Sequence, residues 1–345
     1  MNLKKSLIIA LVISAIGIIA WESYWRLQGY TPTIDDNKAL WSVQRDRVTN
    51  LASDNVVFIG SSRTLFDIQL DNWQNQTGKR PIQLANVGSS PLPIFHDIVE
   101  NTNYAGTVIV GVTPGLFFST TFPKARPWSW PQSRVDFFKD RTYAQRINHQ
   151  LSLPLQQNLV LMSAEESENY DNIDLKAILK RIKFGNRIPE GMPPFYEFGK
   201  ITSLDRNLQM TNKTVIDTAF ANTIIKVWKF FGKVSPPPDK ESTMTFFLKD
   251  AEKFKARGGN LILIRCPSSG GVRAGENHAL PRKEFWDKLV QQANVKAYHF
   301  EDYEQFKNLK CPEWSHLSAE DARFFTTELA KLMIEDGAIT NSKNN

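Results

Sequence analysis

The chain has 345 residues, of which 41% are hydrophobic and 23% charged, a globular composition that excludes a wholly disordered protein. Its mean hydropathy of −0.34 excludes a protein with many membrane spans. The net charge of +6 is lower than that of a dedicated nucleic-acid binder, and two cysteines are too few for a disulfide scaffold or a multi-cysteine zinc module.

The chain starts with a short charged segment and an uncharged apolar block. Two lysines precede residues 6–21 (SLIIALVISAIGIIAW), and three aromatic residues follow, as is common at a membrane interface. Because the block ends without small residues suited to cleavage, residues 1–27 are predicted to be an uncleaved signal anchor. A cleaved signal peptide and a buried core helix are the alternatives. Lysines before the helix predict a cytoplasmic N-terminus, a single pass through the inner membrane and a periplasmic, extracytoplasmic main domain.

The next part of the chain alternates between two patterns. Residues 28–53 are predicted to be a juxtamembrane linker and a helix. Five apolar runs that follow have the length and composition of buried strands. They cover residues 55–59, 82–85, 106–110, 260–264 and 295–300. Helical patterns between them predict an α/β domain with a parallel five-stranded sheet, formed by residues 54–118 and 243–336.

A long interval between the third and fourth runs breaks this alternation. It is too long for one crossover, so residues 119–242 are predicted to form a helical cap or insert over the carboxyl ends of the strands. Acidic residues between 165 and 174 precede basic ones between 176 and 187, which favours a solvated helix with segregated charge. The alternative is a basic face for anionic lipid or an acidic glycan. Residues 337–345 are predicted to be a disordered tail.

Small residues and hydroxyl groups follow the strands, at the sheet edge where active groups gather in α/β proteins. The turns are Gly60-Ser61-Ser62, Asn86-Val87-Gly88, Gly111-Val112-Thr113 and, after the fifth strand, a loop with Glu313 three residues before His316. A serine, a histidine, a carboxylate and N–H groups at helix starts are the parts of a Ser-His-acid system. Taken singly, such a serine is more often a helix cap, and a lone histidine is more often structural.

The order of these motifs resembles the SGNH (GDSL-like) hydrolase and acyltransferase superfamily. Gly60-Ser61-Ser62, Asn86-Val87-Gly88 and Glu313-Trp314-Ser315-His316 are similar to three of its blocks, within residues 54–118 and 243–335. The resemblance implies a three-layer, flavodoxin-like sheet. It also implies Ser62 as nucleophile, His316 as base, Glu313 as the orienting acid, and the amides of Ser62 and Gly88 as oxyanion donors.

Three positions depart from the pattern of that family. Ser61 and Glu313 stand where the family has Asp, and Thr113 stands where its third block has an oxyanion Asn. A threonine hydroxyl donates one hydrogen bond but reaches less far than an amide. Arg63 is therefore predicted to substitute for that donor or to bind substrate. Trp314 is predicted to stack on a sugar, with ordinary core packing as the alternative.

The two cysteines follow the fourth and fifth predicted strands. Cys266 and Cys311 are therefore expected at the same sheet edge, where they would form either a disulfide or two buried free thiols. The sequence has neither a metal-binding motif nor a nucleotide-binding fingerprint, so neither a metal nor a cofactor is expected.

The resemblance implies a membrane-anchored serine acyltransferase or esterase that acts on acyl esters of a cell-envelope carbohydrate, with acetyl as the favoured acyl group. Similar anchored members occur among polysaccharide O-acyltransferases. Expected partners are the inner membrane, a carbohydrate or acyl-ester substrate and a multi-span membrane acyltransferase, but no nucleic acid. The alternative is a catalytically degenerate protein of the same fold that binds a glycan or a membrane partner as a scaffold.

Overall fold

A computed structural model of the protein describes residues 3–28, 31–118, 125–162 and 193–341. Its strands are β1 Val56–Ile59, β2 Ile82–Gln83, β3 Thr107–Gly111, β4 Gly199–Ile201, β5 Leu208–Met210, β6 Asn260–Arg265 and β7 Lys296–His299. Its helices are α1 Leu3–Leu27, α2 Lys38–Val48, α3 Ser62–Asp67, α4 Leu70–Thr77, α5 Leu92–Asn101, α6 Pro114–Phe117, α7 Arg126–Asp140, α8 Tyr143–Asn158, α9 Asn212–Ile216, α10 Thr218–Val234, α11 Lys240–Ala256, α12 Gly270–Ala279, α13 Trp286–Ala293, α14 Glu304–Lys307 and α15 Ala319–Glu335.

The central sheet has the order β2-β1-β3-β6-β7, and all its neighbouring strands are parallel. The five predicted strands are therefore confirmed within two residues at their ends. Numbered among themselves, they follow the order 2-1-3-4-5 of doubly wound α/β sheets. In this arrangement the carboxyl ends of the strands meet at one edge, where the loops that follow them converge.

Each face of the sheet is covered by helices. Val57 and Ile59 belong to one apolar cluster, together with residues of α2, α5, α11 and α13. Val56 and Phe58 belong to a second cluster on the other face, with residues of α4 and α15. The strands consist of continuous apolar runs because both of their faces are buried.

The helix α2 is part of the core of the domain, although a juxtamembrane position was predicted for it. The Trp41 indole N–H donates to the carbonyl oxygen of Leu84 at 3.1 Å. Arg45 forms a buried ion pair of 2.5 Å with Asp97 of α5. These contacts fix α2 to the first helical layer.

The insert is helical in part, through α7, α8 and α10, but it also contains an antiparallel pair, β4 and β5, that was not predicted. The predicted charge-segregated helix lies outside the described residues. A third apolar cluster packs Phe198, Ile201 and Ile224 of the insert against Leu65 and Phe66 of α3. The insert is thus fastened to the helix that follows β1.

The apolar helix α1 is exposed along its length, and it is long and apolar enough to cross a membrane. Its last turns contact the end of α8. The Glu22 carboxylate accepts hydrogen bonds from the backbone N–H groups of Val160 and Leu161, at 2.9 and 3.0 Å. Arg26 donates to the carbonyl oxygen of Asn158 at 2.7 Å.

The prediction of a disordered tail from residue 337 is wrong at its start. Ala338 and Ile339 are buried in the cluster that also contains residues of α15. The Asn260 side chain donates to the carbonyl oxygen of Ala338 at 2.9 Å, so the chain beyond α15 is tied to the sheet. Residues 342–345 lie outside the described part of the chain.

Candidate active site

Three side chains from opposite ends of the chain form a continuous hydrogen-bonded series. Ser62 is the first residue of α3, and its Oγ lies 2.8 Å from Nε2 of His316. Nδ1 of His316 lies 3.0 Å from Oε1 of Glu313. His316 and Glu313 are buried, whereas Ser62 is half-buried. The structure thus brings together the three residues that the sequence assigned to nucleophile, base and acid.

The two serines after β1 have separate roles. Ser61 is the N-cap of α3, and its Oγ accepts a hydrogen bond from the backbone N–H of Arg63 at 3.3 Å. Because Ser61 satisfies the helix start, the Ser62 hydroxyl is left for His316. The capping interpretation therefore applies to Ser61.

The Glu313 carboxylate is completely buried and has several donors. Its Oε1 accepts hydrogen bonds from the backbone N–H groups of Ser315 (3.2 Å) and His316 (2.6 Å). Its Oε2 accepts one from the indole N–H of Trp228 on α10. With Glu313 as the acceptor at Nδ1, that nitrogen carries the proton and Nε2 is left as the base toward Ser62.

Aromatic rings surround the imidazole of His316. The ring centroids of Phe66, Phe198 and Trp228 lie 4.6, 5.4 and 5.9 Å from it. Phe198 and Trp228 belong to the insert, and no motif in the sequence predicts their position beside His316. They limit the rotation of the imidazole and its contact with water.

Arg63 lies in a buried ion pair, although substrate contact was predicted for it. It is 3% exposed, and its Nη2 lies 2.7 Å from Glu276 of α12. Its Nε donates to Ser315 Oγ at 3.2 Å, one residue before His316. Arg265 at the end of β6 contacts the other oxygen of Glu276 at 2.5 Å. Although burial raises the pKa of Glu276, the two guanidinium groups lower it to about 2, so the carboxylate is ionised.

A second buried carboxyl supports the loop that carries His316. Asp67 Oδ1 accepts a hydrogen bond from the backbone N–H of Leu317 at 3.0 Å. The backbone carbonyl oxygen of Asp67 accepts another from the Thr326 hydroxyl of α15 at 2.9 Å. Burial raises the pKa of Asp67 well above its usual range, which favours the uncharged form. Asp67 therefore positions the residue after His316.

Trp314 contacts the loop after β6. It has a left-handed backbone with φ of 79°, and its ring covers Gly270 and Gly271, where a Cβ atom would lie within 2.4 and 2.7 Å of it. Lys229 Nζ of α10 lies 5.2 Å from the ring centroid. The Trp314 ring is thus half-buried between this loop and α10, and its stacking on a sugar stays a prediction.

The two further oxyanion candidates lie in loops at the same edge. Gly88 has φ of 58° in an exposed turn after β2. Thr113 follows β3, and its Oγ1 lies 2.6 Å from Ser61 Oγ. A hydroxyl has one hydrogen and two lone pairs, so Ser61 can accept from Arg63 and donate to Thr113. That direction leaves the Thr113 hydrogen available for another group.

Cys266 and Cys311 are both buried free thiols, so the disulfide alternative is wrong in this structure and the free-thiol alternative is correct. Cys311 Sγ lies 3.8 Å from the carbonyl oxygen of Pro267. Burial raises the pKa of each thiol well above the usual range of cysteine, which favours the protonated form. Disulfide formation needs a thiolate, so this burial disfavours it.

Comparisons with models of known protein families and with proteins of curated function found no match to this chain.

Proposed function

We propose that the protein is a serine acyltransferase or esterase of the SGNH kind. The observation that carries the proposal is the hydrogen-bonded series from Ser62 Oγ through His316 to Glu313. This order of hydroxyl, imidazole and buried carboxylate is the arrangement that activates a serine for attack on a carbonyl carbon.

In the proposed reaction, His316 Nε2 takes the proton of Ser62 as Oγ attacks the carbonyl carbon of an acyl ester. The backbone N–H groups of Ser62 and Gly88 and the hydroxyl of Thr113 stabilise the oxyanion. His316 then returns the proton to the leaving alcohol, and the acyl group stays on Ser62. A hydroxyl group or water, deprotonated by the same nitrogen, then attacks the acyl-enzyme. The bond between the acyl carbon and Ser62 Oγ breaks, and His316 returns the proton to Oγ.

The proposed substrate is an acyl ester of a carbohydrate outside the inner membrane, with acetyl as the favoured acyl group. In this proposal α1 anchors the protein to that membrane. The apolar length of α1 supports the anchor. A multi-span membrane acyltransferase would be the partner that supplies acyl groups.

A scaffold without catalysis is the second candidate. The observation in its favour is Thr113, whose hydroxyl already pairs with Ser61 and stands where the family that the sequence resembles has an amide donor. Loss of one oxyanion donor lowers the rate by about 10²–10³. The scaffold would bind a glycan or a membrane partner through the same loops.

Hydrolysis of p-nitrophenyl acetate by the full chain in detergent tests these proposals. We expect activity that falls to background in Ser62→Ala and His316→Ala and persists in Ser129→Ala, which alters an exposed serine of α7. An added oligosaccharide should accept the acetyl group if the protein is a transferase. Equal rates in the parent and Ser62→Ala would refute the mechanism, and an inactive but folded parent would favour the scaffold.

A further inference from the structure

The helix α8 has an apolar face that points away from the domain. Tyr143, Ile147, Leu151 and Leu155 follow one another at intervals of four residues, which places them along one side of the helix. Tyr143, Leu151 and Leu155 are 78, 69 and 47% exposed, and Ile147 is half-exposed.

The other side of α8 faces the protein and carries buried polar side chains beside Leu153, which packs against the third apolar cluster. His149 and Gln156 are buried there, and Gln156 accepts a hydrogen bond from the backbone N–H of Asp35 at 3.0 Å. The outward side of α8 thus departs from the usual pattern of a surface helix, in which polar residues face the solvent. A continuous exposed apolar row of this kind marks a surface that something else covers.

The position of α8 indicates what covers it. Its last residue, Asn158, and the following Val160 and Leu161 are hydrogen-bonded to Arg26 and Glu22 at the end of α1. The aromatic residues of α1 lie at this same level, as interfacial residues of a spanning helix do. The apolar row therefore continues from the place where α1 would leave the membrane.

We infer that α8 lies in the surface of the membrane that α1 crosses, with its apolar row among the lipid acyl chains. Arg146 is exposed beside the row, at a position suited to lipid phosphates. With 16 residues, α8 is about 24 Å long at about 1.5 Å per residue, so it provides a long second attachment beside α1. Two attachments would fix the orientation of the active site relative to the bilayer. The inference rests on the membrane anchoring in the proposed function and is independent of the serine chemistry.

Spin labels on the full chain in phosphatidylcholine–phosphatidylglycerol vesicles test this inference. Nitroxides are attached to Leu151→Cys, to Ile13→Cys in α1 as a lipid reference, and to Glu320→Cys as a water reference. The two native cysteines are buried, and the unmutated chain gives the background labelling. We expect the label at 151 to collide with oxygen more than with a water-soluble nickel complex, as at 13, whereas the label at 320 shows the reverse.

Each outcome decides a different point. A water-like label at 151 beside a lipid-like label at 13 would overturn the inference, and the row would then be left for a protein partner. Water-like labels at both positions would overturn the anchoring as well. Ester hydrolysis by the same variants is measured separately, so that failure of the serine mechanism is distinguished from failure of membrane contact. Retained hydrolysis in Leu151→Cys also shows that this variant is folded.

Discussion

At the scale of single residues, Ser61 and Ser62 are adjacent in the chain but make different contacts. Either serine alone would be explained as a helix cap. Ser61 caps α3, and Ser62 instead contacts a histidine whose other nitrogen contacts a buried carboxylate. The sequence pointed to Ser62 only through resemblance to a family, because adjacent serines have the same local propensities.

The substitution Glu313→Gln tests the acid at this scale. Both oxygens of the Glu313 carboxylate accept hydrogen bonds, and the NH₂ group of a glutamine cannot accept one. In either orientation, that NH₂ group would face N–H donors: those of the backbone and His316 at the Oε1 position, or the indole of Trp228 at the Oε2 position. We expect ester hydrolysis to fall by about 10²–10⁴, since the correct imidazole tautomer is no longer stabilised. The control is Glu284→Gln, an exposed glutamate, which should keep the parent rate. Unchanged activity in Glu313→Gln would contradict its role.

At the scale of elements, the insert contributes side chains to the proposed active site. The helix α10 supplies the indole that binds Glu313, and the residue before β4, Phe198, packs against His316. A cap that only covered the site would contact substrate but not the acid. The insert therefore contacts both the proposed acid and the proposed base.

The variant Trp228→Phe tests this contact, because it keeps an aromatic ring beside His316 and removes the N–H donor. A hydrogen bond to a charged group contributes about 1.5–3 kcal/mol, which corresponds to a kcat/KM lower by about 10- to 150-fold if the bond acts in the transition state. Trp130→Phe is the matched control, since the Trp130 indole nitrogen has no hydrogen-bond partner among the described residues. Equal kcat/KM values for the two variants would show that the Trp228 bond is unimportant.

The ion pairs of Glu276 connect α3, β6 and α12 beneath the site, and Glu276→Gln tests them through stability. We expect the free energy of unfolding at pH 7 to fall by about 3–5 kcal/mol, since two buried guanidinium groups lose their counter-charge. The folded pKa of about 2 lies below the unfolded value of about 4.3, so this stabilisation is present above pH 4.3 and lost toward pH 2. Urea unfolding of both proteins across that range should show their difference shrinking as the pH falls. A difference independent of pH would contradict the ionised pair.

The elements that the sequence predicted are those that consist of a continuous run of apolar residues. The strands could be found because each is apolar at consecutive positions, and α1 because its apolar block is long. The hairpin of β4 and β5, the indole of Trp228 and the carboxylate of Glu276 could not be found. Each depends on packing between segments that are far apart in the sequence, and the hydrophobic periodicity of a single segment does not predict such packing.

At the scale of the whole molecule, a chain of contacts joins the proposed anchor to the proposed nucleophile. Arg26 at the end of α1 donates to Asn158 at the end of α8, and Leu153 of α8 packs against the third apolar cluster. Trp228 of α10 packs against the same cluster and donates to Glu313, which contacts His316. The alternation of strands and helices predicted the domain that holds the triad. The connection through the insert appears only in three dimensions.

The central claim, that Ser62 is an activated nucleophile, is tested most directly by covalent labelling of the full chain with a fluorophosphonate. Peptide mass spectrometry should find one phosphonyl adduct, on Ser62, and the adduct should be absent from His316→Ala. An adduct on another serine with Ser62 unmodified, or no adduct on a folded protein, would contradict the account.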